Sequence, residues 1–427
     1  MAGEWTVRPL EDCMEAIIDY RGKTPRKTSR GIPLITAKVV KNGMIEPPAE
    51  FIAEDDYEPW MRRGIPKAGD VLITTEAPLG EIAQLGPERV ALAQRLIAIR
   101  GKNGVVNNTF LKFLMQSAAV QDQLRARATG TTVLGIKQSE LRKVLLTLPP
   151  IEEQRAIAHI LGTLDDKIAL NRRMNETLEG IARAIFKSWF VDFDPVRAKA
   201  EGRGLGLPKK MADLFPDHFE DSELGEIPAG WRIETIGEIA ENPRRGVVPS
   251  EVGSATPYVG LEHIPRRSIA LANWGYAHDL ESNKFEFRRS EILFGKLRPY
   301  FHKVVVAPVD GVCSTDILVV QPRKPQWFGF LLGHISSVAF IDYTDASSTG
   351  TKMPRTNWRD MGLYEVVLPP DQLAAVFTEL IRSSIERILA NVHESHTLAT
   401  LRDTLLPKLI SGELRIPAPK SIIGRPT

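Results

Sequence analysis

The stretch LPPIEEQRAIAHILGTLDDKIALNRRMNETLEGIARAIFKSWF, Leu148 to Phe190, decides the architecture. Its apolar residues Ile157, Leu161, Leu164, Ile168, Leu178, Ile185 and Trp189 recur at the three- and four-residue spacing of a coiled-coil seam. Pro149 and Pro150 open the run with a preset φ, and Glu152 and Glu153 stand where the helix dipole favours negative charge. The spacing predicts one long helix from Ile151 to Phe190.

The stretch occurs twice. A shift of 220 positions lays Leu368-Pro369-Pro370 on Leu148-Pro149-Pro150 and Thr349-Gly350-Thr351 on Thr129-Gly130-Thr131. Further along, Ile388, Asn391, Leu398, Leu401 and Leu405 fall on Ile168, Asn171, Leu178, Ile181 and Ile185. The chain thus reads as two copies of one unit, each a globular domain followed by a long helix. The second helix is expected from about Asp371 to Leu414. Its seam residues are Ile388, Asn391, Leu398, Leu401 and Leu405; those of the first are Ile157, Leu161, Leu164, Ile168, Asn171, Leu178 and Ile185. A buried asparagine in a seam fixes register at a cost in stability, so Asn171 and Asn391 are expected to face each other.

Length and composition fit this plan. A chain of 427 residues, 43% hydrophobic and 25% charged, has room for two or three soluble domains with cores of their own. The net charge of +2 does not exclude a nucleic-acid partner, because basic residues can gather on one face while the average stays neutral. Cys13 and Cys313 stand alone, which excludes a disulfide framework or a zinc site and favours the reducing cytoplasm. No basic start is followed by an apolar core, and no run approaches the roughly 18 apolar residues of a membrane span. A cytoplasmic protein away from membranes is expected.

In order, residues 1–147 read as a mixed α/β domain, 148–193 as the first long helix and 194–221 as an exposed, glycine- and lysine-rich connector. Residues 222–367 read as the second domain, 368–416 as the second long helix and 417–427 as a flexible tail. Trp231 answers Trp5, Pro257-Tyr258-Val259 answers Pro33-Leu34-Ile35, and Leu293 to Pro299 answers Leu72 to Pro78. Between matched points the copies diverge: Thr74-Thr75-Glu76-Ala77 stands against Gly295-Lys296-Leu297-Arg298. A shared scaffold with unlike loops suits two readers of unlike targets.

Catalytic signatures are missing. Gly22-Lys23-Thr24 resembles the end of a phosphate-binding loop, but Ile17 occupies the position of its first glycine. No Asn-Pro-Pro-aromatic run marks an amino-methyltransferase. His393 and His396 lie three apart without a third metal ligand, and Pro216-Asp217 with Glu220 and Asp221 lacks the lysine of a nuclease set.

Five motifs together resemble the specificity subunits of Type I restriction-modification systems. They are Ile18-Asp19-Tyr20-Arg21-Gly22-Lys23-Thr24-Pro25, Leu148-Pro149-Pro150-Ile151-Glu152-Glu153-Gln154, Phe186-Lys187-Ser188-Trp189-Phe190-Val191-Asp192-Phe193, Asp221-Ser222-Glu223-Leu224-Gly225-Glu226-Ile227-Pro228 and Lys408-Leu409-Ile410-Ser411-Gly412-Glu413-Leu414. The second helix departs from the pattern, opening Asp371-Gln372-Leu373 where the first has the Glu-Glu-Gln set.

The resemblance implies a mixed α/β fold with two target-recognition domains and two long helices packed as an antiparallel coiled coil. It implies that each domain reads half of a bipartite double-stranded DNA site, with the helices setting the gap. Two modification subunits, bringing S-adenosylmethionine, and two restriction subunits, using ATP and magnesium, are the implied partners; this chain carries no cofactor, metal or catalytic residue of its own. Basic residues in comparable positions are then the candidate DNA contacts: Arg21, Lys23, Lys38, Arg95 and Lys137 in the first domain, and Arg245, Lys296, Arg298, Lys352 and Arg355 in the second. The alternatives are a self-contained DNA methyltransferase or nuclease, which has no residues left over for a catalytic domain, and a self-pairing coiled-coil protein, which the internal partner helix makes unnecessary.

Overall fold

The computed structural model describes residues 4–20, 24–41, 43–278, 280–350 and 352–416. The chain divides into two compact units, Met1–Asp166 with Ala399–Thr427, and Lys167–Leu398. Both long helices are present, at Ile151–Phe190 and Asp371–Ser411. The first has the predicted bounds. The second ends three residues early because Gly412 adopts φ +76°, the left-handed conformation that closes helices.

In the first unit a four-stranded antiparallel sheet runs in the order Met14–Asp19, Leu96–Gly101, Val71–Thr75, Leu79–Gln84. The central strands are apolar over Val71–Ile73 and Leu96–Ile99 and buried there on both faces. One face packs under the helices Asn108–Gln116 and Ala118–Ala126, and the other under a smaller sheet in which Leu34 and Ile35 run parallel to Ala91 and Leu92. Asn107 caps the first of these helices by accepting from the Phe110 N–H at 3.0 Å.

The second unit repeats the layout: Ala240–Glu241, Ile317–Pro322, Ile292–Gly295 and Val304–Val306 form the same strand order. Helices Phe328–Ile335 and Val338–Ala346 repeat the helix pair, and Tyr258 and Val259 run parallel to Val312 and Cys313. The internal repeat is therefore structural as well as sequential.

Gln154, from the Glu-Glu-Gln set, explains how the first helix is attached to its domain. It is buried; its side-chain oxygen accepts from the Asn107 N–H (3.0 Å), and its Nε2 donates to the Val105 and Pro149 carbonyls (2.9 Å each). Glu153 accepts from Arg415 Nη1 at 3.1 Å. In the second unit Thr378 replaces Gln154 in this role: its hydroxyl accepts from the Gly329 N–H (3.0 Å) and donates to the Gln326 carbonyl (2.6 Å). The departure at Asp371-Gln372-Leu373 is met by a different residue one turn further along.

The seam differs from expectation at one position. Ile157, Leu161, Asn171, Ile388 and Asn391 are buried, and Leu164, Ile168, Leu178, Ile185, Leu398 and Leu405 are half-buried. Leu401 is 46% exposed, as is its repeat mate Ile181 at 49%. Arg402 takes the inward position instead, with Nη1 2.8 Å from Asp165 Oδ1, and Lys112 pairs with the same carboxylate. Both 401 and 402 satisfy seam spacing, and the facing carboxylate selects the cation.

The stretch 194–221 is not the exposed connector expected. It forms a helix at Asp194–Ala200 and a strand at Phe219–Ser222, and it buries Val196 and Phe215, the latter edge-on to Trp189 at 5.1 Å. Its glycines and lysines mask two apolar anchors spaced too widely for a periodic signal. The tail 417–427 lies outside the described residues.

Candidate nucleic-acid interface

In the first unit, the end of strand Val71–Thr75 meets two loops. The Thr75 N–H donates to the Arg95 carbonyl (2.9 Å), and the Ile136 N–H donates to the Thr75 carbonyl (3.0 Å). Residues 129–135 form a loop closed by two backbone bonds between Thr129 and Gly135, at 2.8 and 2.9 Å. These elements enclose a groove of about 370 Å³, lined by Glu76, Gln94, Arg95, Thr129 and Lys137 among others. Gln94 and Arg95 also line a second groove of about 190 Å³, together with Lys38. Lys38, Arg95 and Lys137, far apart in sequence, thus converge at one exposed corner. Arg21 and Lys23 lie outside the described residues.

The second unit builds the same corner. The Lys296 N–H donates to the Asp316 carbonyl (2.9 Å), the Thr356 N–H to the Lys296 carbonyl (3.1 Å), and Thr349 and Arg355 close the loop between them at 3.1 and 3.0 Å. Arg298 donates from its backbone N–H to the Pro354 carbonyl (2.7 Å) and from Nη2 to the Lys352 carbonyl (3.4 Å). Lys296, Arg298, Lys352 and Arg355 therefore gather where Arg95 and Lys137 gather in the first unit.

The family model of the Type I restriction modification DNA specificity domain matches residues 2–180. The Type I restriction enzyme MjaIX specificity subunit of Methanocaldococcus jannaschii is 26% identical over 430 residues, 97% of this chain and 94% of that one. The HindI specificity subunit of Haemophilus influenzae is 26% identical over 383 residues, 77% of this chain and 82% of that one. Over nearly its whole length this chain is similar to specificity subunits of Type I restriction enzymes. A solved structure of such an S subunit, from M. genitalium, shares the fold with a TM-score of 0.55 at 16% identity, over 95% of this chain and 96% of that one.

Within this chain the candidate cations differ in surroundings. Lys38, Arg95, Lys137, Lys352 and Arg355 are exposed. Arg245 stands apart from the corner: its Nη2 pairs with the buried Glu291, which also accepts from the Arg288 N–H at 2.7 Å. That pairing gives Arg245 a structural task. His393 bonds through Nε2 to the Pro308 carbonyl (2.9 Å), and His396 stacks on Trp274 with ring centroids 4.5 Å apart. Neither histidine is arranged as a ligand, and among the described residues no group of three or more His, Cys, Asp and Glu could hold a metal.

Two of the candidate cations have acidic neighbours that the sequence does not place beside them. Arg95 Nε lies 2.7 Å from Glu76 Oε1, and Arg355 Nε lies 3.2 Å from Asp316 Oδ1. The signal was present in the contrast between Thr74-Thr75-Glu76-Ala77 and Gly295-Lys296-Leu297-Arg298, but only the tertiary fold brings residues 95 and 135, or 316 and 355, beside it.

Proposed function

We propose that this chain supplies DNA sequence specificity to a Type I restriction-modification complex, residues 1–147 and 222–367 each reading one half of a bipartite site. The observation that supports this most is the recurrence of one exposed, cation-rich corner on two copies of a single scaffold whose loop residues differ. Lysines and arginines there neutralise phosphates and supply the salt-sensitive share of affinity, while side chains reaching base edges supply the sequence preference. The long helices set the gap between half-sites and dock two modification subunits; two restriction subunits complete the complex. S-adenosylmethionine, ATP and magnesium belong to those partners, the chain itself carrying no cofactor and performing no chemistry. Among the described residues no helix is long and apolar enough to cross a membrane, and the assembly acts on DNA in the cytoplasm.

The test is replacement of residues 1–147 by the matching domain of a relative, followed by mapping of methylated sites with the modification subunits present. One half-sequence should change and the other persist. A change in both halves, or in neither, would refute the assignment of one domain to one half-site.

A further inference from the structure

The two corners share a backbone and exchange side chains. Glu76 bridges Gly135 in the first unit, and Leu297 bridges Arg355 in the second. Three positions therefore correspond: Glu76, Arg95 and Gly135 on one side, Leu297, Asp316 and Arg355 on the other. Each set contains one arginine and one carboxylate, but at different positions. The carboxylate moves from the strand end to the neighbouring loop, and the arginine from that loop to the closed loop 129–135 or its counterpart. In both, the carboxylate engages Nε.

Stability does not account for this. Side-chain exposures of 51% and 41% for Arg95 and Glu76, and 49% and 28% for Arg355 and Asp316, put both pairs in the class that contributes little to folding. A carboxylate on Nε does have a directional effect. It restricts a long side chain to few rotamers and leaves the two terminal nitrogens to donate outward. Parallel donors in that spacing match the O6 and N7 acceptors of guanine in the major groove. Holding the fork in place beforehand reduces the ordering cost of binding.

We propose that Arg95 and Arg355 are specificity-determining residues, each reading one guanine in the half-site of its own domain, with Glu76 and Asp316 as their positioning residues. This rests on the reading of the two domains as DNA readers given above.

The experiment is selection from a randomised DNA library by the full chain assembled with its modification subunits. Each half-site should contain one strongly preferred guanine. Arg95→Ala should reduce that preference roughly tenfold or more at a single position of one half, leaving the other positions and the other half unchanged. Arg355→Ala should do the same in the opposite half. Glu76→Gln should weaken the preference at the position Arg95→Ala affects, an outcome a merely structural role would not produce. Arg95→Ala lowering affinity equally for all sequences, with a smaller salt slope, would make Arg95 a phosphate contact and overturn the proposal, as would unchanged base preferences. If domain replacement shifts one half-site while neither arginine variant shifts any base, this inference alone fails. If replacement shifts neither half or both together, the underlying reading fails with it.

Discussion

The Asn391 amide donates to the side-chain oxygen of Asn175 at 2.8 Å, inside the buried seam of the Lys167–Leu398 unit. Asn171 donates to Ser395 Oγ at 3.3 Å and to Glu394 at 2.8 Å. Because 391 and 395 are the repeat mates of 171 and 175, one bond is the repeat image of the other. Asn171 Nδ2 also lies 3.5 Å from the Asn391 carbonyl oxygen, so the two seam asparagines meet each other while their amides bond to other side chains. Asn391→Ala leaves the Asn175 oxygen buried without its donor and should cost about 1–3 kcal/mol. Replacing Asn175 and Asn391 together by leucine should recover stability relative to Asn391→Ala, read from denaturation midpoints. Losses that simply add would contradict this.

Exposed cations and paired ones should separate in a salt titration. Removing Lys38 and Lys137 together should reduce the slope of log binding constant against log salt by up to about 1.8, at roughly 0.9 per phosphate contact. Arg245→Ala should leave that slope alone and lower stability by about 3 kcal/mol, since it strands the buried Glu291. The reverse pattern would exchange their roles.

Burial pushes the His334 imidazole down to about 3, amid Phe186 and Phe330 at 4.9 and 4.5 Å. Its unfolded value is 6.5, so between pH 6.5 and 3 the unfolded chain binds more protons and stability falls with acidification. The loss by pH 5 is about 2 kcal/mol at 1.36 kcal/mol per pH unit. Glu179, raised by burial, works in the opposite sense, so the diagnostic is the difference between wild type and His334→Leu. The variant should lose that part of the pH dependence; identical profiles would exclude His334 as its source.

If the helices set the gap, seven residues inserted after Asn171 and seven after Asn391 lengthen each by roughly 10 Å at 1.5 Å per residue. These points lie between the Asn171–Ser395 and Asn391–Asn175 bonds, so both bonds and the seam face survive. At about 3.4 Å per base pair the selected gap should grow by about three pairs with both half-sequences unchanged. Duplex rotation of roughly a quarter turn should lower affinity as well. Selection of the original gap from a library of spacings would refute the ruler.

The helices and the repeat were legible because their signals are local and periodic: seam spacing, a Pro-Pro start, one constant offset. Leu401 and Arg402 both fit the seam spacing, and Asp165, 237 residues away from Arg402, decides between them. The burial of residues 194–221 leaves no local signal, because Val196 and Phe215 are covered by residues remote in sequence. At the candidate interface, positive charge could be read residue by residue. Which cations carry internal partners could not, since Arg245–Glu291, Arg95–Glu76 and Arg355–Asp316 each join residues separated by 19 or more positions.

Leu409 and Ile410 belong to the same buried cluster as Leu10, Phe110, Ile157 and Leu161, and Arg415 reaches Glu153. During translation, the unit begun first is therefore completed by residues made after the whole of the Lys167–Leu398 unit. The Lys167–Leu398 unit is contiguous and can close while the chain is still being extended, whereas the first unit waits with part of its core open until residues 399–416 leave the ribosome. A circular permutant beginning at Ala399 would synthesise the first unit as one uninterrupted segment and reverse that order of completion.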